Sequence, residues 1–245
     1  MKTIIVVGIG TGNPEHLTVQ AINALKRAGT LFIPDKGEDK AELAQVRREI
    51  CERYLDAPTL VPYRVPTRRN GSDYGQTVAE WHATLAGIFA ELIATHVPDG
   101  GACAFLVWGD PGLYDSTLRI IAQLPQPETF HLEVIPGITS IQALTSAHAI
   151  ALNRIGEPVQ ITTGRRLAES GLGGDSVVML DGQTAFIHAD PDLEIFWGAY
   201  LGTPDQLTIA GRLGDVSDTI IETRRAARAR HGWIMDIYLL RQREP

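Results

Sequence analysis

Cysteine is nearly absent. Cys51 and Cys103 are the only two in 245 residues, and neither has His or Cys at ligand spacing around it. That leaves no basis for a disulfide framework or a structural zinc site, so no metal is expected. The usage is compatible with a reducing cytosol, and a cytoplasmic location is expected. Long hydrophobic runs are also missing. No stretch approaches the roughly 18 apolar residues of a membrane span, and Ile4–Val7 is too short for a signal-peptide core and ends in glycines. There is no low-complexity tract, disordered tail or internal repeat, and no Ser-His-Asp or Cys-His arrangement for nucleophilic catalysis. Positive charge is in deficit: 22 Lys and Arg against 29 Asp and Glu give a net charge of −7, which does not attract nucleic acid.

The arginines that remain are clustered, at Arg64, Arg68 and Arg69, at Arg165 and Arg166, and at Arg224, Arg225, Arg228 and Arg230. Most such clusters are solvated faces. The first lies in a Pro- and Gly-containing loop and is the one expected to meet an anionic ligand.

The length allows one large domain or two ordinary ones, and roughly 70–75% of the unfolded surface can be buried without a staple. The first half alternates strand and helix. Strands are expected at Thr3–Val7, Thr30–Ile33, Leu60–Tyr63, Ala102–Val107 and His131–Ile135, with helices at Glu42–Leu55, Thr77–Thr95 and Thr117–Leu124. A helix bearing Ala21, Ile22 and Leu25 has Thr18 as N-cap and Gly29 as stop. Strands separated by helices imply right-handed crossovers and a mainly parallel sheet. After a helix near 140–150 the texture changes to short β-like runs at Val159–Thr163, Val177–Leu180, Leu207–Ala210, Thr219–Glu222 and Trp233–Leu240, with helical pieces near 165–170, 192–200 and 223–230. The expected organisation is an α/β domain over 1–140 and an α+β domain with a mixed or antiparallel sheet over 141–245.

Three turns carry chemistry. Gly8-Ile-Gly-Thr-Gly12 follows a buried strand, but its third glycine comes too early for the dinucleotide fingerprint and Asn13-Pro14 precedes the helix. Asp35, just after the second strand, nonetheless mimics a ribose-binding acid. A nicotinamide-dependent reductase or a non-catalytic nucleotide-binding module therefore stays open. The run Val107-Trp-Gly-Asp-Pro-Gly-Leu-Tyr114 and the run Ile135-Pro-Gly-Ile-Thr-Ser140 each end a strand and open a helix. Together they place N–H groups and short polar side chains at one sheet edge, where open α/β folds bind ligands. Thr139 and Ser140 can cap a helix and line a pocket as well.

The order of these motifs, from the glycine loop through Gly109-Asp110-Pro111 and Pro136-Gly137-Ile138-Thr139-Ser140 to Gly202-Thr203-Pro204-Asp205-Gln206, resembles the tetrapyrrole (precorrin/corrin) methylase family over essentially the whole chain. The resemblance implies two α/β domains with S-adenosylmethionine in the cleft between them, an anionic tetrapyrrole substrate and a homodimer. Carried over by motif position, Thr11, Gly109, Asp110, Leu113, Thr139, Ser140, Asp181 and Gly202 would bind the methyl donor. Thr11 and Asp181 depart from the family's usual Pro and Met. Asp35-Lys36-Gly37-Glu38-Asp39-Lys40 leading to Leu43 and Arg47, with Met179-Leu180-Asp181-Gly182, points within the family to methylation of precorrin-5 at C-1 with loss of acetate. Other tetrapyrrole positions stay open as acceptors. Arg64, Arg68 and Arg69 are the expected carboxylate-binding residues. Acid–base help for deacylation is sought among Asp35, Asp110, Tyr114, His188 and Asp190, of which Asp35, Asp110 and Tyr114 are taken as the catalytic candidates.

Overall fold

The computed structural model describes residues 1–35, 37, 41–68 and 74–242. It divides into two compact units, Met1–Ile138 and Thr139–Pro245.

The first unit is a parallel five-stranded sheet in the order β3-β2-β4-β1-β5. Its strands are β1 (Lys2–Gly8), β2 (Thr30–Asp35), β3 (Leu60–Arg64), β4 (Ala102–Val107) and β5 (Phe130–Ile135). The β-branched run in β1 is buried because the strand lies inside the sheet with helices on both faces. Ile5 and Val7 pack into one core with Ala21, Leu25 and Ile50. Ile4 and Val6 pack into the other with Phe89, Phe105 and Ile120. The flanking helices are α1 (Val19–Arg27), α2 (Ala41–Tyr54), α3 (Tyr74–His96) and α4 (Thr117–Ile121). Thr18 caps α1 as expected, its hydroxyl accepting from the Ala21 N–H at 3.0 Å. Cys51 and Cys103 are both buried, and burial pushes each thiol up to about 12.

The sheet divides at its carboxyl edge. β2 pairs with β4 only from Thr30↔Cys103 to Phe32↔Phe105, yet it stays paired with β3 as far as Asp35↔Arg64. β4 in turn follows β1 to Val107↔Gly8.

The second unit begins with α5 (Ser140–His148) and holds a mixed sheet in the order β6-β7-β10-β8-β9. Its strands are β6 (Gln160–Thr163), β7 (Ser176–Met179), β8 (Glu194–Ala199), β9 (Leu207–Arg212) and β10 (Asp236–Arg241), with helices α6 (Gly164–Ser170) and α7 (Leu213–His231). Only β6 and β7 pair in parallel. Two local expectations are corrected. The segment near 192–200, read as helical, contains β8, a strand inside the sheet whose Ile195–Ala199 are all buried. Thr219–Glu222, read as β-like, lies inside α7, because Leu213, Ile220 and Ala227 recur at helical spacing and are buried together. Among the described residues no helix is long and apolar enough to cross a membrane.

Candidate active site

At the carboxyl edge of the first sheet the loops after β1, β4 and β5 are tied into one body. Gly10 and Gly109 form an antiparallel bridge, with the Gly109 N–H donating to the Gly10 carbonyl at 2.8 Å and the Gly10 N–H to the Gly109 carbonyl at 3.3 Å. Asp110 joins the second and third loops. Its Oδ1 accepts from the Gly112 N–H at 2.7 Å and its Oδ2 from the Gly137 N–H at 2.9 Å. Two charge-assisted bonds of this kind fix a geometry as well as contributing energy. The loops approach so closely that a Cβ on Gly8 would lie 2.6 Å from the Gly137 nitrogen, and one on Gly137 would overlap the Gly109 carbonyl. The glycines serve backbone packing between loops.

Thr11 is buried, and its hydroxyl pairs with His16 Nδ1 at 3.3 Å. Burial lowers the His16 pKa. The loop then forms a short 3-10 turn, Pro14–His16, before α1 begins at Val19 under its Thr18 cap. The Gly8–Gly12 loop therefore does not run directly onto an open helix N-terminus, as a pyrophosphate seat requires.

Leu113 is half-buried and Tyr114 is exposed, with φ +50°. Among the described residues the Tyr114 hydroxyl has no hydrogen-bond partner. Asp35 and Arg64 sit opposite each other in register at the ends of β2 and β3, both exposed, and Asp35 Oδ1 accepts from the Gly37 N–H at 2.9 Å. Arg68 is exposed on the following loop. Arg69 lies outside the described residues.

In the second unit, the Thr139 hydroxyl caps α5 by accepting from the Ile141 N–H at 3.1 Å, and Gln142 closes a capping box. Ser140 is the first residue of that helix. Asp181 is buried: its Oδ1 accepts from the Gln183 N–H at 3.0 Å, and its Oδ2 from the Ala185 N–H and the Tyr238 hydroxyl, both at 2.7 Å. Burial and this carboxylate push the Tyr238 phenol pKa up. Arg224 donates to the Asp181 carbonyl and, from Nε, to Asp236 at 2.8 Å. The Gly202 N–H donates to Gln206 Oε1 at 2.9 Å within the turn joining β8 to β9. His188 and Asp190 are exposed, and Asp190 Oδ1 accepts from the Asp192 N–H at 2.9 Å, as in an ordinary surface turn.

The profile of tetrapyrrole (corrin/porphyrin) methylases matches residues 3–217. The chain belongs to the tetrapyrrole methylase family. Within it, the chain is 56% identical to "Precorrin-6A synthase [deacetylating]" of Sinorhizobium sp over 251 aligned residues, 99% of this chain and 96% of that one. A crystal structure of a cobalamin-synthesis-related protein (CobF) from Corynebacterium diphtheriae shares 42% identity at a TM-score of 0.87, covering 100% of both chains. The Thermus thermophilus uroporphyrin-III C-methyltransferase, solved with S-adenosylhomocysteine, shares the fold at 19% identity and a TM-score of 0.63, covering 98% of this chain and 97% of that one. The motif order read from the sequence thus belongs to a tetrapyrrole methylase fold.

The sequence marks Arg47 of this tetrapyrrole methylase as a position that distinguishes family members, but not that its side chain turns inward. Arg47, on α2, is only 6% exposed; its Nε donates to the Leu106 carbonyl at 3.1 Å and its guanidinium carbon lies 5.9 Å from the centre of the Trp108 ring. The available signal was its spacing with Ala44, Ile50 and Cys51, which puts a charge in the buried stripe of the helix.

Proposed function

We propose that this chain transfers a methyl group from S-adenosylmethionine to C-1 of precorrin-5 and releases acetate, giving precorrin-6A in aerobic cobalamin (vitamin B12) biosynthesis. The observation that carries the reading is the 56% identity with precorrin-6A synthase over 99% of the chain. A homodimer, from the family resemblance, and a cytoplasmic location, from the scarcity of cysteine, belong to the same proposal.

The first unit's edge suits a sulfonium nucleoside better than a dinucleotide. Where the Gly109–Gly112 turn meets Gly137 the polar groups are backbone amides and the Asp110 carboxylate, and the start of α1 is closed by Thr18. Gly109, Asp110 and Leu113 are the residues proposed to meet the donor there, and Thr139, Ser140 and Gly202 those of the second unit. Thr11 and Asp181 have their side chains engaged within the protein. Any contact they make with the donor is assigned to their backbone.

The donor supplies a methyl carbon already activated by its sulfonium, so the protein's task is alignment, a contribution of about 7–11 kcal/mol in well-oriented reactions. Asp110 serves that task by holding the loops; with both oxygens accepting backbone N–H bonds, it is assigned a positioning role. Deacylation needs more. Water adds to the acyl carbonyl, the bond to the ring breaks with its electron pair left on the ring, and acetate departs. Asp35 and Tyr114 are the exposed groups assigned to move protons in that step. Arg64, Arg68 and Arg69 are assigned to the substrate carboxylates, which guanidinium groups bind in bidentate fashion.

Calorimetric titration with S-adenosylhomocysteine and with NADH, followed by turnover of precorrin-5 against earlier precorrins, tests the reading. Binding of S-adenosylhomocysteine and selective turnover of precorrin-5 are expected; binding of NADH alone would contradict it.

A further inference from the structure

We propose that Trp108 is an aromatic platform for the face of the acceptor macrocycle, and that Arg47 is the positioning residue that holds it. The inference rests on the tetrapyrrole reading above and adds a substrate contact to it.

The first observation is the division of the sheet. Beyond Phe32↔Phe105, β2 leaves β4 and continues with β3 alone. The chain leaves β2 through α2 toward β3, whereas it leaves β4 through α4 toward β5 at the opposite edge. Adjacent strands whose connections run in opposite directions open a crevice at their carboxyl ends, where α/β sheets bind ligands.

The second observation is what occupies that division. Arg47 reaches from α2 to the Leu106 carbonyl, at the level where β4 has lost β2 as a partner. Burial lowers its pKa, and the nearby Tyr63 and Asp115 partly offset this. Burying a guanidinium is costly unless it is well placed, and this one is set against the Trp108 ring at a cation–π distance.

The third observation is Trp108 itself. Trp81 and Trp197 donate their indole N–H groups to Pro66 and Asp236, at 2.7 and 3.0 Å. Trp108 is half-exposed, and among the described residues its indole N–H has no protein partner. It directly precedes the Gly109–Asp110 turn, with Asp35 and Arg64 at the tips of β2 and β3. A flat, conjugated, polycarboxylate ligand matches an aromatic plate in a sheet edge that also carries an exposed arginine.

The test compares wild type with Trp108→Ala, Trp108→Phe, Arg47→Met, Arg47→Lys and the Arg47→Met/Trp108→Ala double variant. Trp108→Ala is expected to raise the precorrin-5 KM about tenfold, with kcat and the S-adenosylhomocysteine affinity unchanged, and Trp108→Phe to retain most of the wild-type KM. Arg47→Met is expected to move KM in the same direction and to shift the Trp108 emission, read as the difference from Trp108→Phe. Arg47→Lys keeps the charge and restores part of both. The double variant is expected to be no worse than Trp108→Ala, because Arg47 acts through the ring. An unchanged KM in Trp108→Ala overturns the proposal, as does an equal loss of S-adenosylhomocysteine affinity, which would set the ring against the methyl donor. Additive losses in the double variant overturn the role of Arg47. Failure of the wild type to turn over precorrin-5 overturns the functional reading itself, and this inference with it.

Discussion

Asp110 and Gly137 stand 27 residues apart in sequence and meet at 2.9 Å, where the Gly137 N–H donates to the free oxygen of a carboxylate already bound to Gly112. Asp110→Ala leaves two N–H groups without their acceptor and is expected to destabilise the protein by about 1–3 kcal/mol. Asp110→Asn keeps one acceptor oxygen and is expected to lose less. Urea unfolding, with S-adenosylhomocysteine titration alongside, reads both effects. Unaltered stability with abolished turnover would instead place the carboxylate on the reacting groups.

Gly137→Ala forces a methyl group into the Gly109 carbonyl, and Gly8→Ala sets one 2.6 Å from the Gly137 nitrogen. Backbone cannot rotate out of the way as a side chain can. Each substitution is expected to cost about 1–3 kcal/mol or more and to weaken S-adenosylhomocysteine binding, measured by thermal melting and calorimetry. Wild-type values in both variants would show that the loops are not packed this tightly.

Asp181 gives the opposite pattern. Tyr238→Phe removes one donor to a buried carboxylate and is expected to cost about 1.5–3 kcal/mol; Asp181→Ala orphans three donors and costs more. Both variants, where folded, are expected to keep their S-adenosylhomocysteine affinity. A fall in affinity at full stability would make the Asp181 side chain a ligand contact.

Two histidines give the protein an acid-sensitive stability. His82 is 6% exposed, its Nε2 has no hydrogen-bond partner among the described residues, and burial followed by the Arg119 charge lowers its pKa. Burial lowers that of His16. The unfolded chain therefore takes up protons first, and stability falls as pH drops below the ordinary imidazole value of 6.5. His82→Leu is expected to flatten this slope in urea titrations between about pH 8 and pH 5. An unchanged slope would assign the acid sensitivity elsewhere.

Much of the fold was legible because its signals are local. The β-branched run of β1, the Thr18 cap and the stripe of Ala21 and Leu25 each announce one element. Errors fell where local preference and packing disagree: Thr219-Ile-Ile reads as strand until Leu213 and Ala227 are counted with it, and Glu194–Ala199 reads as helix until its burial inside a sheet is known. The motif order carried the family, but it did not show what the side chains do. Nothing near Asp181 in the sequence announces Tyr238, 57 residues away, as its partner. Nor does α2 announce that Arg47 turns inward to a strand carbonyl 59 residues on.

The proposed reaction adds one methyl group to the tetrapyrrole and removes one acetyl group from it on a single enzyme. Incubation with precorrin-5 and S-adenosylmethionine carrying a deuterated methyl group, followed by mass analysis of the tetrapyrrole and detection of acetate, measures both events at once. One labelled methyl per molecule is expected, with acetate released in equal amount. A methylated product that keeps its acetyl group, or no methylation at all, would rule this reaction out.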